Sequence, residues 1–314
     1  MDDRLNRAVD LVAAFDWKRG DLEGRKDAIN ALCESDLEIA LVKLRNGAVM
    51  RIRMADKVIA RKILEDGAYE VAVGTAIARI LRPGDCFIDV GANIGCHAIT
   101  AARSVGVGGH VFAFEPNKAN RAELSANLAL NDLANVLVWP CGLGTSVRIH
   151  RMQSDPSNPG GAKIRDDCID QFEPIQVAPL DLMRPACTIR LVKVDVEGYE
   201  LQVLQGARGL FSADDAPACI LEYNAERYEE EEERRLPLFE YFSSLGWNVY
   251  TVSEKDGGLT FNLHLAPYIA EDFIDILAIP PRLQQEIIGE SLLLIYDHEA
   301  MQQKYSWRRK SGAG

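Results

Sequence analysis

Two acids and two glycines follow consecutive apolar runs of the sequence. The first run contains Asp89 and is followed by Gly91 and Gly95, and the next run is followed by Glu115. The glycines allow the backbone to approach a ligand closely, and a helix N-terminus after them offers free N–H groups that suit a carboxylate. Asp89 offers the opposite charge, which suits an ammonium group. The spacing therefore predicts a receptor for the zwitterion of an amino acid.

Glu115 indicates that the same site holds a nucleoside. Its carboxylate can accept hydrogen bonds from both ribose hydroxyls, as an acid at a similar place does in dinucleotide sites. Asp89 would repel a pyrophosphate, and Asn93 stands at the middle position of the glycine pattern G-x-G-x-x-G. The residues therefore favour S-adenosylmethionine (SAM) over NAD. We predict that SAM contacts Asp89, Gly91, Asn93, Gly95 and Glu115.

A second group of acids is suited to proton transfer. Asp195 and Glu197 stand at the end of a fourth strand-like run, and Glu222 ends a fifth. Carboxylates crowded around one site can raise each other's pKa and leave one of them as a base. We rank Asp195 first as the catalytic base, then Glu197 and Glu222, and we also place Asp195 in the SAM site. These acids are hard oxygen donors suited to Mg²⁺, but nothing in their spacing requires a metal, and we predict none.

Three histidines are weaker candidates for the base. His97 lies in the helix after the glycine turn, where a structural role is favoured, and His264 has no distinguishing context. His150 adjoins residues 154–161, which are too rich in Pro and Gly for a regular element. We predict that this segment is a loop that closes over the acceptor and excludes water.

The chain after residue 80 alternates between strand-like runs and helical patterns. This alternation predicts an α/β fold with a Rossmann-like, mainly parallel sheet of seven strands, and ligands bind outside the carboxyl ends of such strands. Helices are predicted at residues 98–104, 117–131, 201–211 and 284–295, and another is predicted to start at residues 229–233, with Leu238, Phe239, Phe242 and Leu245 on its apolar face. The predicted strands of the sheet are residues 86–90, 111–114, 136–139, 189–195, 218–222, 248–252 and 273–279. Residues 147–150 and 175–177 are also predicted to form strands.

Residues 1–75 differ from this pattern and are predicted to form an N-terminal cap of one helix and a β-hairpin. The helix is predicted near residues 5–13, where apolar residues have helical spacing. Two β-rich runs flank an Asn-Gly pair at residues 46–47, which is the strongest local hairpin signal. We predict the main domain at residues 76–281 and a C-terminal helix and tail at residues 282–314.

Composition limits the classes of partner and the cellular compartment that we expect for the protein. The chain of 314 residues is 47% apolar and has a net charge of −12, which argues against nucleic-acid or membrane partners because both surfaces are negative. Seven scattered cysteines without a Cys-x-x-Cys pair suit a reducing compartment. No signal-peptide pattern is present, and no stretch approaches the roughly 20 apolar residues of a membrane span. We predict a cytoplasmic enzyme for a small hydroxylated molecule, and a homo-oligomer is compatible with this prediction.

Several segments together resemble the FkbM family of SAM-dependent O-methyltransferases. The resemblance covers about residues 65–280, and its most specific part is Asp195-Val196-Glu197-Gly198. The matching segments are Gly67-Ala68-Tyr69-Glu70, Arg82-Pro83-Gly84-Asp85, Phe87 to Gly95, Phe114-Glu115-Pro116, Asn158-Pro159-Gly160-Gly161, Leu180-Asp181, Lys193 to Glu200, Leu204-Gln205-Gly206-Ala207 and Leu221-Glu222.

The resemblance implies a class I methyltransferase fold and methyl transfer to an oxygen of a glycan, polyketide or other small natural product. It also implies that Tyr69, Glu70 and Pro116 lie in the SAM site. Cys141, which follows the third predicted strand, is assigned to the same site.

The residues leave alternative functions open. An NAD-dependent oxidoreductase remains one, because Glu115 taken alone fits either nucleotide, and a non-catalytic SAM-binding module is another. A nucleic-acid methyltransferase is less favoured, because it should carry a basic stripe with stacking aromatic residues. Its only candidate is Trp307 with Arg308, Arg309 and Lys310.

Overall fold

The computed structural model describes residues 22–155, 158–165, 172–224, 232–255, 258–263 and 273–288. The hairpin predicted from the Asn-Gly pair is confirmed, because its two strands pair antiparallel and Gly47 has a φ of 81°. The helix predicted near residues 5–13 lies outside the described residues. The N-terminal elements are α1 (Leu22–Cys33), β1 (Ile39–Lys43), β2 (Val49–Arg53), α2 (Ile59–Asp66) and α3 (Val71–Ile80).

Strands and helices alternate along the rest of the chain. They are β3 (Cys86–Val90), α4 (Cys96–Val105), β4 (His110–Phe114), α5 (Lys118–Leu130), β5 (Val136–Trp139), β6 (Gly142–Leu143), β7 (Arg148–Asp155), β8 (Asn158–Ile164), β9 (Phe172–Ala178), α6 (Leu180–Met183), β10 (Ile189–Val194), α7 (Glu200–Gly206), α8 (Arg208–Phe211), β11 (Ala218–Asn224), α9 (Glu232–Ser244), β12 (Asn248–Lys255), β13 (Gly258–Leu263), β14 (Phe273–Ile279) and α10 (Pro281–Ile288).

The large sheet has the strand order β13-β12-β14-β11-β10-β3-β4-β5. The strands from β11 to β5 are parallel, and β14 runs antiparallel to its neighbours β11 and β12. All seven predicted strands are present, so the mainly parallel α/β sheet is confirmed. β13 is an eighth strand at the edge of the sheet that was not predicted.

The central strand β3 is covered on both faces. All five of its residues are buried, as expected for a parallel strand between layers of helices. Phe87 belongs to the apolar cluster on the face of α3 and α4, whereas Ile88 belongs to the cluster on the face of α7, α8 and α9. Because side chains alternate along a strand, Asp89 lies on the same face as Phe87.

A second sheet of four strands lies between β5 and β10 in the chain, with the order β6-β9-β7-β8. It includes most of residues 154–161, so the prediction that this segment forms no regular element is wrong. β7 extends to Asp155, and β8 begins at Asn158 and pairs antiparallel with β7. Pro159 is tolerated because β8 is an edge strand, where a missing N–H does not interrupt a ladder.

The helix predicted at residues 201–211 is divided into α7 and α8 at Ala207. The chain is closely packed at this point, since a Cβ on Gly206 would lie 1.9 Å from the carbonyl oxygen of Gly144. The last predicted helix begins earlier than expected, at Pro281, and is described as far as Ile288. No helix within the described parts of the chain combines the length and hydropathy needed to cross a bilayer.

The N-terminal elements share a core with the main sheet. Apolar residues of α1, β1, β2 and α2 belong to the same cluster as those of α4, α5 and α10. The hairpin packs on α5. The domain boundaries at residues 75 and 281 stay predictions.

Candidate functional site

The turn after β3 is shaped by residues with positive φ. Gly91, Asn93 and Gly95 have φ angles of 83°, 50° and 98°, a region that glycine adopts freely and asparagine more readily than most residues. A Cβ on Gly91 would lie 1.8 Å from the carbonyl oxygen of Asp195. The Gly91 N–H donates to the Phe114 carbonyl at 2.9 Å. Glycine at this position therefore lets the ends of three strands meet.

Asp89 is a fully buried carboxylate at the end of β3. It is 0% exposed, and neither of its oxygens accepts a hydrogen bond from the described residues. Lys193 is its neighbour in the register of β10 and β3. Burial raises the pKa of Asp89, and the charge of Lys193 opposes this rise. A buried carboxylate without donors is costly, so Asp89 is suited to a cationic ligand.

Glu115 lies directly after β4 and is held by two backbone N–H groups. Oε2 accepts from Asn93 and Oε1 accepts from Asn117, each at 2.8 Å. Burial raises the pKa of Glu115 to about 7, although both hydrogen bonds oppose the rise. A carboxylate has about four lone-pair positions, so about two remain for hydroxyl donors of a ligand.

A pocket of about 640 Å³, partly open to solvent, adjoins these strand ends. One wall is apolar and comes from the second sheet, through Met152, Ile164 and Ile175, none of which was predicted as a site residue. The pocket brings together Gly91, Asn93, Glu115, Pro116, Asp195 and Glu197 from the predicted set.

A buried lysine balances an acidic cluster at the same strand ends, which comprises Glu70, Asp89, Asp195, Glu222 and Asp275. Lys193 Nζ lies 2.9 Å from Asp195 Oδ2, and the two side chains are 4% and 16% exposed. Burial lowers the pKa of Lys193, but the charges of Asp195, Asp89 and Glu70 raise it overall. Lys193 is therefore charged at neutral pH and offsets part of the cluster's negative charge.

Glu222 and Asp275 are opposite each other on β11 and β14. Burial, assisted by the charges of Asp195 and Glu70, raises the pKa of Glu222 to about 9. Burial likewise raises the pKa of Asp275 well above its usual value. A pKa of about 9 favours the protonated form of the Glu222 side chain at neutral pH. Asp275 was not predicted, although an acid inside the apolar run at residues 273–279 was a usable signal.

Glu70 and His97 form a buried pair at the start of α3. His97 Nε2 lies 2.8 Å from Glu70 Oε2, and the carboxylate accepts the hydrogen bond. Burial raises the pKa of Glu70, but the hydrogen bond and the charge of His97 outweigh it, so the pKa is lowered overall. The Tyr69 ring packs beside the His97 ring, with centroids 6.1 Å apart. His97 thus has a structural partner, in keeping with the role favoured from the sequence.

The turn after β10 is also held by internal hydrogen bonds. Glu197 has a φ of 59°, and Glu200 Oε1 accepts from the Gly198 N–H at 2.9 Å. Asp195, Glu197 and Glu222 each place one oxygen within 4.8 Å of the others. These are hard donors, but the prediction that the enzyme uses no metal stays a prediction.

The other residues predicted for the site are not among those that line the pocket; they are Tyr69, Glu70, Asp89, Gly95, Cys141 and Glu222. Cys141 is buried, with Sγ 3.8 Å from Met183 Sδ, and Gly142 after it lines the pocket. His150 is buried, and its ring centroid lies 5.8 Å from that of Tyr199. His264 lies outside the described residues.

A model of the methyltransferase FkbM domain matches residues 89–255, which is more than half of the chain. The matched span begins at Asp89 and includes every residue that lines the pocket. The chain belongs to the FkbM methyltransferase family. Its sheet is that of a class I SAM methyltransferase.

This FkbM methyltransferase is similar to two curated proteins over part of its length. It is 28% identical to Methyltransferase 1 of Beauveria bassiana (strain ARSEF 2860) over an alignment of 172 residues, and the alignment covers 47% of this chain and 66% of that protein. It is 34% identical to the hexuronic acid methyltransferase AglP of Haloferax volcanii over 125 residues, which are 39% of this chain and 49% of AglP. The match thus spans less than two thirds of either relative.

Two methyltransferases are among the solved structures to which the chain is similar. The FkbM methyltransferase from Methylobacillus flagellatus KT has a TM-score of 0.41 and 17% identity, and the match covers 81% of this chain and 59% of that one. Precorrin-6y C5,15-methyltransferase from Geobacter metallireducens GS-15 has a TM-score of 0.40 and 16% identity, with 67% and 87% covered.

Proposed function

We propose that this FkbM-family methyltransferase transfers the methyl group of SAM to a hydroxyl oxygen of a small natural product or glycan. The observation that carries the proposal is Asp195, a partly exposed carboxylate that lines the pocket between the turn after β3 and the acidic cluster. A carboxylate at this point can take the proton that a hydroxyl must lose when its oxygen is methylated.

The residues of the pocket and of the adjoining strand ends fit SAM. Asp89 lacks donors and suits the ammonium group, while the N-terminus of α4 offers N–H groups to the carboxylate. Glu115 retains acceptor positions for the ribose hydroxyls. The apolar wall formed by Met152 and Ile175 suits the adenine ring. When bound, SAM supplies an electrophilic methyl group on a positively charged sulfur.

Asp195 is the member of the acidic cluster best suited to accept the proton. Glu222, with a pKa of about 9, already carries a proton at neutral pH and is therefore suited to donate a hydrogen bond to the acceptor. Lys193 holds Asp195 through Oδ2 and compensates its charge. Alignment of the acceptor against the methyl group supplies much of the rate, since well-placed reactants gain roughly 7–11 kcal/mol over a bimolecular encounter.

SAM binding should weaken as the pH falls through about 7, because Glu115 has its pKa there. The ionised carboxylate accepts from two backbone N–H groups and from the ribose, whereas protonation removes acceptor positions. Because the pKa of Glu115 is raised to about 7, its ionised, binding-competent form predominates above that pH and is lost as the pH falls below it. Titration calorimetry from about pH 5.5 to about pH 8 should show up to about tenfold weaker binding per pH unit on the acid side.

Glu115→Gln is the control for this pH dependence. It should bind SAM weakly at every pH and lack the inflection near neutrality. Wild-type affinity that is constant between about pH 6 and about pH 8 would remove Glu115 as the ribose acceptor.

The acceptor is tested by incubating the protein with methyl-labelled SAM and a panel of hydroxylated sugars and natural products. AglP is named as a hexuronic acid methyltransferase, so uronic acids belong in the panel beside neutral sugars. Label in an ether linkage supports the proposal, and label in a methyl ester or on nitrogen contradicts transfer to a hydroxyl.

The alternative functions make different predictions in this assay. A non-catalytic module would bind SAM without transferring label to any compound in the panel. The oxidoreductase alternative predicts binding of NAD rather than SAM, and the match to a methyltransferase family does not support it.

A further inference from the structure

We propose that Asn127 of α5 is a positioning residue for the SAM-binding turn, and that the hairpin β1–β2 supports the cofactor site through it. Asn127 is 0% exposed. Its Nδ2 donates to the carbonyl of Ile94 at 2.9 Å and to that of Arg51 at 3.1 Å, and its Oδ1 accepts from the Arg51 N–H at 2.7 Å. One buried amide thus joins the turn after β3 to strand β2. The inference rests on the proposed placement of SAM at that turn.

Side chains of the α5 region bond the backbone groups on the free edge of β2, as the backbone of a third strand would. Asn131, one helical turn after Asn127, binds both backbone groups of Val49, at 2.8 Å and 2.7 Å. Residues i and i+4 of a helix are about 6 Å apart along the axis, and alternate residues of a strand are about 6.8 Å apart. The two asparagines therefore match successive outward-facing residues of the hairpin edge.

The hairpin reaches the pocket at a second point. Arg53 donates to Oδ1 of Asn120 at 2.9 Å, and Asn120 is buried and lines the pocket. Glu123 holds this arginine and its neighbour on β2, with Arg51 at 2.6 Å and Arg53 at 3.7 Å. The link between hairpin and cofactor site therefore has two independent contacts.

The turn requires such support because its backbone conformation is unusual. Three of the five residues from Gly91 to Gly95 have positive φ, and the two glycines among them restrict the backbone little, so hydrogen bonds from neighbouring elements must fix the conformation of the turn. Asn127 holds the carbonyl of Ile94, between Asn93 and Gly95. Loss of this hydrogen bond should loosen the backbone that receives the SAM carboxylate.

The test compares Asn127→Ala with Asn131→Ala by titration calorimetry with SAM. Both variants leave backbone groups of β2 without a partner, so both should melt at a lower temperature than the wild type. Only Asn127→Ala also removes the hydrogen bond to the Ile94 carbonyl in the turn. Its Kd for SAM should therefore rise about tenfold, whereas that of Asn131→Ala should rise less than about twofold. Hydrogen exchange of residues 91–96 in the SAM-free protein should be faster in Asn127→Ala than in Asn131→Ala.

Equal Kd values for the two variants, together with equal exchange of residues 91–96, would overturn the inference. If Asn127→Ala does not fold, Arg53→Ala removes the second contact, at Asn120, and should weaken SAM binding without changing exchange near Asn131. An unchanged Kd in that variant would count against the inference. Failure of the wild type to bind SAM would instead overturn the proposed function, while the exchange comparison still tests the link between Asn127 and the turn.

Discussion

Asp195→Asn should reduce the rate of methyl transfer by about 10²–10⁴-fold, the usual contribution of a positioned general base, and change SAM affinity far less. The substitution keeps the shape of the side chain but removes the group that takes the proton. Asp195 also pairs with the buried Lys193 at 2.9 Å, so thermal melting must show that the variant is folded. Single-turnover transfer of labelled methyl and calorimetric titration with SAM measure the two effects separately.

Asp215→Asn is a matched control for this substitution. Its carboxylate is 47% exposed and pairs with Arg184 at 3.3 Å, away from the pocket. Exposed pairs of this kind contribute little, about 0–1 kcal/mol, so the control should have wild-type turnover. An unchanged rate in Asp195→Asn would exclude Asp195 as the base and direct attention to Glu197.

Gly91→Ala should abolish SAM binding and lower the free energy of unfolding by at least about 3 kcal/mol, in the upper range for single substitutions. The new Cβ would lie 1.8 Å from the Asp195 carbonyl oxygen, which is backbone and has little freedom to move. The φ of 83° adds strain for any residue with a side chain. Urea unfolding and SAM titration measure the two losses.

Gly84→Ala separates strain from steric overlap. Gly84 has a φ of 91°, but a Cβ there would have nothing within 4 Å. This variant should lose only about 1–2 kcal/mol, the cost of the left-handed conformation, and should bind SAM normally. If Gly91→Ala and Gly84→Ala lost similar amounts of stability, the overlap with the Asp195 carbonyl would not be the cause of the loss in Gly91→Ala.

The geometry of the strand ends was predictable because it depends on local sequence. Asp89, the two glycines and Glu115 stand directly after apolar runs, and the carboxyl ends of parallel strands meet at one edge of a sheet. The second sheet was harder to predict, since the Pro- and Gly-rich composition of residues 154–161 indicates a loop. Strand pairing with β7 overrides that preference at the sheet edge.

The role of the N-terminal hairpin was not predictable from local patterns. The Asn-Gly pair indicated the hairpin itself, but nothing in the sequence indicated that Asn127 binds Arg51, which is 76 positions away. The helices α1, α2 and α3 were also missed. The charge states could not be predicted either: burial raises the pKa of Glu222 to about 9, whereas a hydrogen bond from His97 lowers that of Glu70.

The sequence by itself determined the alternation of strands and helices and the acids and glycines at the strand ends, and these carried the prediction of SAM as the cofactor. These features follow from periodicity and from residue chemistry within a few positions. Only the tertiary structure decided which acids have a raised pKa, which segment forms the apolar wall of the pocket, and what supports the turn after β3. Those properties depend on burial and on hydrogen bonds between residues that are distant in the chain, and the fold alone brings such residues together.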